Sequence, residues 1–195
     1  MRDLPNNETR QRLLDAAELL FIKRGYASVK LRDIAEAVGL HHASLYYYAP
    51  GGKEQLFVEV MQRSLNRHRE GMTQAAAQAG RDLHAQVYAI AAWLAQQPPL
   101  DLQRMAHADL REIDPAQAEA LMMLAFDALR LPLAEVLHQA NAAGSATVAN
   151  PELAAIAFVQ LMQSVHNIPE LATPEARQAV GYEMADMLLN GWLKR

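Results

Sequence analysis

The sequence predicts an all-α protein with an N-terminal three-helix domain carrying a helix-turn-helix and a C-terminal helical domain. Three observations predict it. Apolar residues recur at helical spacing over most of the chain. Asp114-Pro115, Asn150-Pro151 and Thr173-Pro174 each set a capping residue before a proline, the signature of a helix start. No β-hairpin signal, internal repeat or low-complexity tract interrupts them. The boundary is read between residues 66 and 67, giving domains 6–66 and 67–195.

The first helix is expected from about Asn7 to Arg24, with Leu13, Ala17, Leu20 and Phe21 as its apolar stripe. Lys23-Arg24-Gly25 is a stop signal, cations followed by glycine. The stretch LRDIAEAVGLHHASLYYYAPGGKE, Leu31 to Glu54, is the most informative. Ile34, Ala35 and Val38 share one face of a short helix, and Ala35 is small enough for a close crossing. Gly39 stands where a left-handed residue ends a helix, Leu40 turns inward, and Leu45 anchors a second helix over about Ala43 to Ala49. Pro50-Gly51-Gly52 ends that helix. A fourth helix starts near Lys53, with Leu56, Phe57, Val60, Met61 and Leu65 on one side.

Two helices joined by a glycine turn are the plan of a DNA reader, whose second helix enters the major groove. They are also the plan of an ordinary helical hairpin. Tyr46, Tyr47 and Tyr48 discriminate. Successive helical residues point about 100° apart, so all three cannot be core. A phenol at a helix surface beside Lys53, His41 and His42 suits phosphate oxygens and base edges.

These residues resemble the DNA-binding domain of the TetR family of bacterial regulators. The matching stretches are TRQRLLDAAELLFIKRGY (Thr9 to Tyr26), LRDIAEAVGL (Leu31 to Leu40) and ASLYYYAPGGKEQLF (Ala43 to Phe57), about a quarter of the chain. The PGGKE loop has one residue more than the commoner proline–serine–lysine loop and resembles a subgroup related to drug-resistance repressors. Departures stand at three places. Val29 and Lys30 occupy the usual Thr or Ser cap of the first motif helix, where Ser28 is an alternative cap. His41 stands at the usual Ser cap of the second, and Ala49 replaces the usual Phe.

The expected DNA-binding residues follow. His42, Ala43 and Tyr47 face bases; Ser44, Tyr46, Tyr48 and Lys53 hold phosphates; Lys30, Arg32 and His41 complete the set. Residues 1–70 carry 11 Lys/Arg and 9 Asp/Glu, a net +2 within a chain of net charge −4, so the basic excess lies in the reading domain.

Further along, Gln97-Pro98-Pro99 closes a helix from about 82 to 97. Helices are expected at about 115–131, kinked at Pro132 and continuing to about Ala143, then at 151–167 and 174–193. The 151–167 helix is apolar nearly all round, so it is covered on more than one side, by its own core or by a second copy of the chain. The predicted dimer face is Leu153, Ile156, Val180, Met184, Met187 and Leu188, with Trp192 beyond. The family resemblance implies a homodimer through a four-helix bundle of the last two long helices.

The C-terminal domain is also where an effector is expected. Candidate lining residues are Tyr88, Trp93 and Met105, then His107, Met122 and Phe126, and finally Phe158, Met162 and His166; each has plain core as its alternative. Methionine supplies an adaptable lining, which points to a large, mostly apolar small molecule.

Other classes fit poorly. The apolar and charged fractions, 51% and 21%, are those of a globular protein rather than a disordered one. There is no cysteine, hence no disulfide, thiol catalysis or Cys-type zinc site. The four histidines past residue 70 form no metal-ligand spacing, and Gly51-Gly52-Lys53 lacks the P-loop pattern. No catalytic residue, metal or cofactor is therefore expected. The longest apolar run, Val87 to Ala95, is half a membrane span. MRDLPNNET has no apolar leader, and the expected location is the cytoplasm. The sequence therefore predicts a homodimeric repressor on a palindromic double-stranded operator, released by a small-molecule effector. The rival is a helical carrier or interaction module without operator binding.

Overall fold

The computed structural model describes residues 7–168 and 173–192, with side chains at positions 7, 42, 43, 167, 191 and 192 outside that description. The helices are α1 (Asn7–Ser28), α2 (Leu31–Ala37), α3 (His42–Tyr48), α4 (Gly52–Gln78), α5 (Leu83–Gln96), α6 (Leu102–His107), α7 (Pro115–Ala142), α8 (Pro151–Ser164) and α9 (Pro174–Trp192). Short 3-10 turns at Asp109–Glu112 and Val165–Asn167 follow α6 and α8.

All three proline-marked starts are capped as expected. Asp114 accepts from the amides of Ala116 and Gln117, Asn150 from Leu153, and Thr173 from Ala176. Each side chain satisfies an amide that lacks a partner in the first helical turn. Pro132 leaves α7 continuous to Ala142. Gly25 breaks α1 with φ of 75°, a backbone that disfavours any side chain.

The chain forms two compact units. The first runs through Ser64 and includes Leu100–Leu124; the second comprises Leu65–Pro99 and the chain from Ala125 onward. The expected boundary at 66/67 lies two residues beyond the first division and gives no sign that 100–124 packs with the N-terminal helices. The physical reason is a polar network. Arg104 donates to the Ile22 and Phe21 carbonyls at 2.7 and 3.2 Å, closing the end of α1 at the Gly25 break. Asp109, buried, accepts the Tyr26 amide at 2.8 Å and pairs with Arg104 at 3.5 Å. Helix α6 is capped by Asp101, whose carboxylate accepts the Arg104 amide.

The core of the first unit holds Phe21, Tyr26 and Phe57 in mutual ring contact, and Leu13, Ile34, Leu45 and Val60 are fully buried. In the second unit α5 packs along α9. Its last carbonyls, Leu94 and Ala95, are met by His166 at 3.3 Å and Arg177 at 3.1 Å.

Candidate nucleic-acid interface

The interface is built from α2, the turn after it and α3. Lys30, not Ser28, caps α2: its carbonyl accepts the Asp33 amide and its own amide donates to the Asp33 carboxylate at 3.0 Å. That bond, ahead of the neighbouring Arg32, holds the Asp33 carboxyl below the usual carboxylate range. Ile34, Ala35 and Val38 are buried as the periodicity requires.

Gly39 has φ of 71°, and the two bonds of a Schellman ending follow. The Leu40 amide reaches the Ala35 carbonyl at 2.9 Å and the Gly39 amide the Glu36 carbonyl at 3.2 Å. Arg12 of α1 donates to the Val38 carbonyl at 3.2 Å, fixing this turn from outside. Sequence reasoning missed Arg12, because its partner is a backbone atom 26 positions away.

Helix α3 is seated by Leu45 and Ala49, which are 0% and 5% exposed. Ala49, at the usual Phe position, fills its site by burial of a methyl group. His41 makes no side-chain cap, in keeping with the weak capping of that residue type. His41 and Ser44 are exposed, Tyr46 and Tyr47 are 50% and 48% exposed, and Tyr48 is half-buried. The Tyr47 and Tyr48 rings meet edge to face at 5.2 Å. For His42 and Ala43 the helical backbone is described and the side chains lie outside the described set.

Lys30 and Arg32 are exposed at the start of α2, Arg32 with Asp33 at 3.6 Å. Lys53 is engaged within the unit. Its ammonium donates to the Tyr26 carbonyl at 3.1 Å and sits 3.9 Å from the Tyr26 ring centre.

The nine effector candidates stand in different surroundings. Met105 is buried in the first unit, where His107 is exposed. Met122 and Phe126 are 37% and 52% exposed on α7. Phe158 and Met162 are core residues of the second unit. Tyr88 stacks on Tyr182 at 4.5 Å, Trp93 lies edge-on to His68 at 5.2 Å, and His166 is bound to the Leu94 carbonyl. The large groove of the second unit, about 650 Å³, is lined by other residues of α4, α5, α7 and α8. Residue type alone pointed to these nine, and type does not tell which way a helical side chain points.

Comparison with known proteins decides the family. Residues 13–60 match the TetR family of bacterial regulatory proteins, and residues 81–187 match the C-terminal domain of AefR-like transcriptional repressors. The chain belongs to the TetR family. A curated relative, the HTH-type transcriptional regulator LmrA of Bacillus subtilis (strain 168), is 43% identical over 54 residues. That match covers 28% of this chain and 29% of LmrA. Among solved structures, the fatty acid degradation regulator FadR from Bacillus halodurans superposes with a TM-score of 0.73 at 16% identity, over 98% of each chain. A regulator from Saccharomonospora viridis in complex with choline gives 0.73 at 17% identity, over 97% of this chain and all of that one. A TetR-family protein from Rhodococcus RHA1 gives 0.68 at 17%, over 95% and 97%. At these identities the likeness is one of fold, and it spans both halves of this TetR-family chain.

Proposed function

We propose that this TetR-family protein is a DNA-binding transcriptional regulator, a homodimer that represses from a palindromic operator and is released by a small-molecule effector. The observation that carries the reading is the seating of α3. Leu45 and Ala49 are held inward while Ser44, Tyr46 and Tyr47 remain open to solvent on a helix fixed by a Schellman turn. A carrier with a vestigial reading head has no use for that arrangement.

The base and phosphate roles assigned from sequence stay with this reading: His42, Ala43 and Tyr47 at base edges, with Ser44, Tyr46 and Tyr48 at phosphates, flanked by Lys30, Arg32, His41 and Lys53. Two such helices in a dimer meet successive major grooves about 34–36 Å apart, or somewhat more if dimers bind in pairs. Support for the dimer face comes from the single chain. Leu153 and Met187 are 61% and 73% exposed, and Ile156, Val180, Met184 and Leu188 are half-exposed. A twofold interface would cover that apolar surface. Among the described residues no helix is long and apolar enough to cross a membrane, which suits a protein working on DNA in the cytoplasm.

The test is selection of bound sequences from random duplex DNA with the purified protein, followed by salt titration of the winner. A recovered palindrome with a steep salt slope supports the regulator. No enrichment at low salt overturns it in favour of the carrier.

A further inference from the structure

We propose that the effector site is the groove of the second unit between α4, α5, α7 and the first turn of α8, and that it takes an amphipathic organic anion. This rests on the regulator reading above and names the place and chemistry of its effector.

The groove holds about 650 Å³, within the range of small-molecule sites. One part of its wall is apolar: Ala76 from α4 with Leu131, Pro132 and Val136 from α7. Three of these are buried, and Leu131 is 42% exposed, so a ligand would cover a side chain that water now touches. Ala77 and Ala134 also line it; the other lining residues are polar, and their charges sort into those already answered and one that is not.

Glu152, in the first turn of α8, is met by the His138 Nε2 at 2.8 Å and by Arg130 at 3.8 Å. Those neighbours, His138 first, hold its carboxyl below the usual range. Glu135 accepts from the Gln139 amide at 2.8 Å. The Gln86 amide donates to the Gly80 carbonyl at 2.9 Å. Arg69 is exposed at the same groove, and its guanidinium has no hydrogen bond or ion pair with another described residue. A planar fork of donors beside an apolar wall matches a carboxylate or sulfonate on a hydrocarbon body. A cationic ligand would instead have to draw a carboxylate away from His138 or Gln139.

The site also touches elements that can carry a response. Glu152 immediately precedes Leu153, on the face proposed for the partner subunit. Arg69 and Ala76 lie on α4, the unbroken helix that starts at Gly52, just after the reading helix. An anion that binds one dimer geometry better than another shifts the population between them.

The probe is 1-anilinonaphthalene-8-sulfonate, an aromatic anion that fluoresces when sequestered, titrated into the full-length protein. Octanoate and octyltrimethylammonium serve as competitors. Arg69→Gln removes the charge, and Ala77→Trp fills the groove from an exposed position. Far-UV circular dichroism and operator binding of both variants check the fold. Expected is saturable binding of one probe per chain, displaced by octanoate but not by the cation, weakened tenfold or more by R69Q and lost in A77W. Absence of saturable binding, or binding unchanged in both variants, overturns the proposal. Loss in A77W alone, or displacement by the cation, overturns the anion; loss in R69Q alone overturns the groove. Operator selection with the same preparation is read separately. Enrichment without probe binding sinks this site and leaves the regulator standing, whereas probe binding without enrichment does the reverse.

Discussion

The backbone amide of Tyr26 donates to the buried carboxylate of Asp109 at 2.8 Å, joining residues 83 apart in sequence. The end of α1 is therefore finished by a segment that lies beyond α5. Replacing Asp109 by Ala orphans the Tyr26 amide and leaves Arg104 without its carboxylate partner. An unsatisfied buried donor costs about 1–3 kcal/mol. Denaturant unfolding of Asp109→Ala should show a loss in that range, and Asp109→Asn, which still accepts from the amide, a smaller one. Equal losses would assign the effect to charge rather than to the amide.

Tyr47 and Leu45 sit two residues apart on α3 with opposite exposures, 48% and 0%. Tyr47→Ala should weaken operator binding by about 1–3 kcal/mol with less effect on random DNA and little on stability. Leu45→Ala should instead cost about 2–5 kcal/mol of folding stability. Binding assays on specific and random duplexes, beside urea titrations, separate the two. An equal loss on both DNAs would move Tyr47 to the phosphate class.

Gly71 in α4 lies under Trp93. A Cβ added there would come within 2.1 Å of the indole ring. Helix propensity favours Gly71→Ala by about 1 kcal/mol, but overpacking costs about 1–3 kcal/mol. The second term wins, so the variant should melt lower, with a changed tryptophan emission. A raised melting temperature would mean that the half-exposed indole swings aside freely.

Burial pushes the His166 imidazole down from its ordinary 6.5, and the neighbouring Arg177 adds to this. The unfolded chain then takes up a proton that the folded chain refuses. Stability is whole above pH 6.5 and falls as the pH drops below it toward the depressed value, where the folded ring at last protonates. Chemical denaturation at pH 7.5 and 5.5 should show this decline, and it should shrink in His166→Gln. An identical decline in the variant would assign it to other groups.

Met187 is 73% exposed on α9. If the proposed dimer face is the interface, a charge there is buried against apolar surface, so Met187→Glu should shift the protein toward monomer in sedimentation and lower operator affinity with it. A variant that stays dimeric would place the interface elsewhere.

What could be read from the sequence was local. Asp114, Asn150 and Thr173 cap helices within three residues of themselves, and Gly39 closes α2 through its immediate neighbours, so each is written in a few adjacent letters. The three tyrosines announced an exposed face because a helix cannot bury three consecutive side chains. The Asp109 and Arg104 contacts were illegible for the opposite reason: they end on backbone atoms of a distant helix, and a carbonyl has no letter of its own. Six-residue α6 is too short to show a period. The effector candidates could not be sorted by letter, because aromatic and methionine content marks material for a core or a pocket without saying which. Arg69, by contrast, looks in sequence like any surface arginine.

The closure of α1 by Arg104 and Asp109 also orders events during synthesis. As the chain leaves the ribosome, the first four helices emerge well before the residues that finish them, and the reading head stays open-ended until the turn at Asp109–Glu112 has followed. The effector half is thus threaded through the completion of the DNA-binding half. A chimera that joins a foreign effector domain after residue 66 would discard the clasp along with the domain, and a working exchange has to carry residues 100–124 with the head.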